Sequence, residues 1–70
     1  MIKAGKQFIL SSPDDGVPDK VATVTGARGT LCKIETDDGE AYFFRCEIGF
    51  HTLFEDIDCK KQVNKFLKPK

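Results

Sequence analysis

The sequence has no tryptophan and only one histidine, one tyrosine and one methionine among its 70 residues. With one imidazole available, any nucleophile–base pairing would have to be built around His51. No G-x-S-x-G or Q-A-C motif surrounds Ser11, Ser12 or any cysteine, so the chain lacks the local signatures of a nucleophilic enzyme. Gly26-Ala27-Arg28-Gly29 has too few glycines, and no Lys-Ser or Lys-Thr after it, for a phosphate-binding loop, and is read as a turn.

Long apolar runs are also missing. The longest, Phe8 to Leu10 and Ala41 to Phe44, fall far short of the roughly 20 residues of a membrane span or the roughly 7–15 of a leader's apolar stretch. A cytoplasmic chain without membrane association is expected. Cysteine is sparse and odd in number, with Cys32, Cys46 and Cys59 and no C-x2-C knuckle. The expectation is reduced thiols packed as small apolar side chains. Together with His51 the three have the composition of a Cys3His zinc site without its spacing, so neither a metal nor a cofactor is expected.

What is present describes a folded binding domain. Hydrophobic residues make up 40% of the chain, charged residues 31%, and six phenylalanines supply bulk for a core. One core of this size yields roughly 3–5 kcal/mol of net stability. That leaves little to offset buried unpaired catalytic groups. A single domain over residues 1–70 that binds rather than catalyses is therefore expected.

The formal charge is zero, yet it is unevenly spread. Glu35, Asp37, Asp38, Glu40, Glu47, Glu55, Asp56 and Asp58 face a single base, Arg45, while Lys60, Lys61, Lys65, Lys68 and Lys70 follow with no acid among them. The chain is acidic in its middle and basic at its end.

Gln7 to Leu10 reads as the heart of a first strand over about residues 6–11, ended by the turn formers Ser11 to Gly16. Val21 to Thr25 has strand composition and is expected to break at Gly26 to Gly29. Leu31 to Thr36 alternates, with Cys32 and Ile34 on one face and Lys33 and Glu35 on the other. Asp37-Asp38-Gly39-Glu40 then predicts a hairpin with a two-residue type I′ loop. Its return strand, Ala41 to Ile48, places Tyr42, Phe44, Cys46 and Ile48 on one face and Ala41, Phe43, Arg45 and Glu47 on the other.

Beyond Gly49 the spacing of Phe50, Leu53, Phe54 and Ile57 matches one helical face, and Thr52 with Glu55 has the form of a capping box. A fifth strand over Leu53 to Cys59 competes with that reading. Val63, Phe66 and Leu67 continue the stripe, predicting a short C-terminal helix ending before Pro69. The expected fold is all-β, a small half-open SH3-like or OB-like barrel of four to five strands with that helix appended. Its free strand edges would permit a weak dimer as well as a monomer.

The run from Ile34 to Phe44 resembles the middle hairpin of cold-shock domains, OB-like barrels that bind single-stranded nucleic acid. The resemblance implies bases stacked on strand aromatics. The preceding Gly29-Thr30-Leu31-Cys32-Lys33 lacks the aromatic pair those domains carry there.

Two surfaces are candidates for contact with a macromolecule, a protein being favoured slightly over single-stranded nucleic acid. One joins Lys33, Phe43 and Arg45 on a strand face, with Lys60, Lys61 and Lys65 as an electrostatic arm. The other is an acidic face of Asp37, Asp38, Glu40 and Glu47, suited to a regulatory or inhibitory protein docking on a basic partner.

Overall fold

Among the described residues six antiparallel strands account for the regular structure: β1 (Gln7–Ser11), β2 (Lys20–Arg28), β3 (Leu31–Thr36), β4 (Ala41–Arg45), β5 (Thr52–Phe54) and β6 (Gln62–Pro69). The computed structural model describes residues 2–46 and 51–70, so Glu47, Ile48 and Phe50, assigned above to a strand, a surface and a helical stripe, lie outside the described residues. Each strand bonds to its neighbours in sequence, and β6 returns to β1, closing the barrel. No Greek-key crossing of the OB type interrupts this order. Two expectations are thereby corrected: the barrel has six strands rather than four or five, and it is closed rather than half-open. The pairing of β6 with β1 occupies the outer edges that a half-open sheet would leave free.

The C-terminal helix is the third correction. Among the described residues there is no helix, and residues 62–69 run as β6, Leu10 opposite Leu67 and Phe8 opposite Pro69. Val63 and Leu67, four residues apart, fit alternation as well as a helical stripe, and alternation wins, with Phe66 on the other face. Val63 and Leu67 pack on the core, whereas Phe66 is exposed and Lys68 lies over its ring, 5.5 Å from the centroid. The deciding term is non-local. Without β6, the outer edge of β1 would keep its peptide groups unpaired beside a packed core.

Neither reading of residues 52–59 holds in full. Leu53 is fully buried while Ile57 is 62% exposed, so they do not share a helical face. After the three residues of β5 the chain turns, with the Asp56 carboxylate accepting the Lys60 and Lys61 backbone N–H groups at 3.0 and 2.8 Å. Cys59 takes the left-handed backbone conformation, φ 56°, within that turn.

The β3–β4 hairpin forms where predicted, with Cys32 opposite Phe44, Lys33 opposite Phe43 and Ile34 opposite Tyr42, one residue out of step with the pairing that a two-residue Asp38-Gly39 loop would impose. Its loop is not type I′. Asp37 and Asp38 keep negative φ, Gly39 alone in the loop is left-handed at φ 92°, and the Gly39 N–H donates to the Thr36 carbonyl. This is a three-residue loop, a type I turn followed by a left-handed glycine. The loop is held by the Thr36 hydroxyl, which donates to Asp38 and accepts the Glu40 N–H. β2 also runs on through Gly26 to Arg28, past the expected break, with a bulge between Val24 and Gly26 that adds the twist closure needs.

The core consists of Phe8, Leu10, Ala22, Val24, Cys32, Ile34, Phe44 and Leu53. Phe44 sits centrally, edge-on to Phe8 at 6.1 Å and to His51 at 5.1 Å. Cys32 and Cys46 form a disulfide across β3 and the residue following β4, Cα atoms 6.4 Å apart, which corrects the expectation of reduced thiols for that pair. Cys32 on β3 and Cys46 directly after β4 both face inward, two residues from direct opposition, and diagonal neighbours of this kind lie within disulfide reach. Cys59 is the free thiol.

Candidate functional site: an aromatic and cationic wall

Because Cys32, Ile34 and Phe44 point into the barrel, the hairpin register forces Lys33 and Phe43 outward, directly opposite one another. The Lys33 ammonium lies 5.9 Å from the Phe43 ring centroid, a cation–π contact. Arg45, two residues along β4, projects from the same face and is exposed. The strand-face triad expected from the sequence is thus brought together.

Barrel closure adds residues that local pattern did not reveal. Phe54 on β5 lies opposite Phe43, extending the outer aromatic row. Arg28 and Leu31 pair at the mouth of the β2–β3 hairpin, and Leu31 lies opposite Arg45. Ile57 folds back from the β5–β6 turn toward Phe43. Between them lies a shallow open depression of about 170 Å³, lined by Arg28, Leu31, Lys33, Phe43 and Ile57 over the Gly26–Ala27 backbone. That volume is below the roughly 300–1,000 Å³ of sites for small-molecule ligands. It suits one or two side chains of a partner.

The remaining sequence-predicted residues sit elsewhere. Lys60 and Lys61 are exposed in the β5–β6 turn. Lys65 alternates inward on β6 beside the β3–β4 loop, where its ammonium meets Glu40 at 3.5 Å and lies over the Tyr42 ring. The lysine-rich end is therefore a barrel strand rather than a free arm. Of the acidic set, Asp37 is exposed at the hairpin tip and Glu47 lies outside the described residues. Asp38 and Glu40 both hold Lys20, at 2.7 and 2.6 Å, and the Tyr42 hydroxyl donates to Glu40 at 3.1 Å. Two of the four acids thus serve an internal network that ties β2, the hairpin and β6 together.

That network has a pH signature. The Lys20 ammonium, and after it the Thr36 hydroxyl, pull the Asp38 carboxyl from 3.8 down to about 2. Lys20, aided by Tyr42, likewise lowers Glu40 against the opposing effect of burial. Carboxyls with depressed folded-state values contribute stability above their unfolded values, and that contribution is lost as pH falls through the folded ones. Lys20→Gln should therefore lower the melting temperature at neutral pH, and the gap to the parent should narrow between about pH 4 and pH 2. An unchanged gap at both extremes, read by circular dichroism melts, would contradict this role.

Among the described residues no group of three His, Cys, Asp or Glu side chains is placed to hold a metal ion. His51 packs edge-on against Phe8 and Phe44, and its Nδ1 has no hydrogen-bond partner among the described residues. Compared with protein families, with curated proteins and with solved structures, the chain matches none.

Proposed function

We propose that this barrel is a noncatalytic binding module whose Phe43-centred wall holds a short segment of a protein partner, an apolar side chain flanked by carboxylates. The observation that carries the reading is the apolar depression beside Phe43 with Arg28, Lys33 and Arg45 around it. Leu31 and Ile57 supply apolar contact, and the cations favour acidic flanks and steer their approach. A rigid aromatic beside a depression is the kind of anchor on which binding energy concentrates.

A second reading, single-stranded nucleic acid, draws on Phe43 and Phe54 lying across from each other with Lys33 and Arg45 beside them, an arrangement suited to stacked bases and phosphates. It has less support than the sequence alone suggested, because Lys65 is engaged with Glu40 rather than free to neutralise phosphate. The acidic-surface reading loses support for the matching reason, Asp38 and Glu40 being engaged by Lys20.

Panning a displayed library of short peptides on the chain, with counter-selection on Phe43→Ala, tests the proposal. Enriched peptides should combine an aliphatic or aromatic residue with acids, and Phe43→Ala should weaken their binding about tenfold or more, the loss of an anchor worth at least about 1.4 kcal/mol. Saturable oligothymidylate binding that weakens with salt, in the absence of enriched peptides, would transfer the assignment to nucleic acid. If neither ligand binds, the wall is not the working surface.

A further inference from the structure

In an up-and-down barrel successive connections emerge at opposite ends, so charge that alternates between connections becomes charge separated along the barrel. That has happened here. Segments 12–19 and 37–40 meet at one end, carrying Asp14, Asp15, Asp19, Asp37, Asp38 and Glu40 with no Lys or Arg. The lead into β1, the β2–β3 turn, the end of β4 and the last residue meet at the other. They carry Lys3, Lys6, Arg28, Arg45 and Lys70, with no Asp or Glu among the described residues.

Neutralisation at the acidic end is partial. Lys20 and Lys65 engage Asp38 and Glu40, and Lys68 lies 4.0 Å from Asp19. Asp14, Asp15 and Asp37 are exposed. The β5–β6 connection leaves at this end but folds back along the flank, where Ile57 lines the depression with Arg28 and Phe43. Strands of five to six residues span roughly 17–20 Å. The screening length at physiological salt is about 8 Å. The two ends therefore act as separate surfaces of opposite sign rather than cancelling within one molecule.

We propose that the chain associates with itself head to tail, the acidic end of one copy on the basic end of the next. The zero formal charge means that no overall repulsion opposes the approach. Such a contact joins unlike surfaces, so each added copy presents a fresh free end and the assembly grows past a dimer. Arg28 and Arg45 are shared with the Phe43 wall, so an acidic peptide held there would compete for part of the basic end.

Sedimentation equilibrium of the full chain tests it, comparing the parent with a cation-neutralised variant, Lys3→Gln/Lys6→Gln/Lys70→Gln, and an acid-neutralised one, Asp14→Asn/Asp15→Asn/Asp37→Asn. These positions avoid Arg28 and Arg45 of the wall and the Lys20 network, so self-association is read apart from peptide binding. At about 0.1 M salt, where the screening length of ~10 Å is shorter than the barrel, the parent's average mass should climb with concentration beyond two chains of 7.8 kDa, and at about 1 M it should return to one. Each variant alone should remain monomeric, and their equimolar mixture should stop at two chains, since only one complementary pair of ends survives. A parent that stays monomeric at low salt overturns the proposal, and so does association of either variant to the parent's extent. The parent's own salt series decides the matter even if a variant folds poorly.

Discussion

Phe44→Ala should leave the chain largely unfolded at 25 °C. The ring is fully buried and touches β1 through Phe8, β5 through its register partner Leu53, and His51. Removing such a ring from a packed core costs about 3–5 kcal/mol, the lost transfer energy plus that of the cavity left behind. The whole domain commands roughly the same amount, so no reserve remains. Amide proton spectra of the variant should collapse to the narrow dispersion of an unfolded chain, while Phe43→Ala, one residue away on the outer face, should keep the parent's dispersion. Equal damage from the two would mean that the inside and outside of β4 have been assigned wrongly.

The second large effect concerns the disulfide. The native protein should titrate with one free thiol, Cys59, and three after denaturation and reduction. Cys32→Ala/Cys46→Ala should lower stability by about 3 kcal/mol, the chain-entropy value for a loop near 15 residues. For a domain with so small a margin this places the unfolding midpoint close to ambient temperature. Three reactive thiols in the folded, air-handled protein would contradict the bridge. The bridge closes the far end of the same hairpin that carries Lys33 and Phe43, so reduction should also loosen the wall.

Which parts of this could be read from the sequence follows from how local their causes are. The hairpin over residues 31–45 is legible because two alternating runs flank Asp-Gly, but its register is not: a two-residue loop would set Lys33 opposite Phe44, and the three-residue loop is what sets it opposite Phe43 on the outer face. Even there the turn type escaped, because Thr36 at the start of the loop bonds Asp38 and Glu40 and favours a type I turn with glycine third. β6 escaped because Val63 and Leu67, four residues apart, satisfy both periods, and the arbiter is β1, more than fifty residues earlier in the chain. The role of Lys65 was hidden for the same reason, since only closure brings it to Glu40.

For Phe54 and Ile57 the pattern fits a helix and a fifth strand alike, which conceals their part in the wall. No local signal marks them; the pairing of Phe54 with Phe43 is what reveals it. The disulfide was within reach of sequence reasoning. Alternation puts Cys32 and Cys46 on the inward faces of paired strands, and the odd cysteine count drew attention away from that geometry. The separation of charge between the barrel ends needs the complete strand order, which turns an alternation along the chain into a polarity in space.

The most direct test of the account is a backbone amide titration of the chain with an acidic, apolar peptide enriched on it, followed residue by residue. Shifts concentrated at Arg28, Leu31, Lys33, Phe43, Arg45 and Ile57, and absent in Phe43→Ala, are the predicted result. Shifts confined to the hairpin tip at Asp37 to Glu40, or to the turn carrying Lys60 and Lys61, with the Phe43 wall silent, would contradict it.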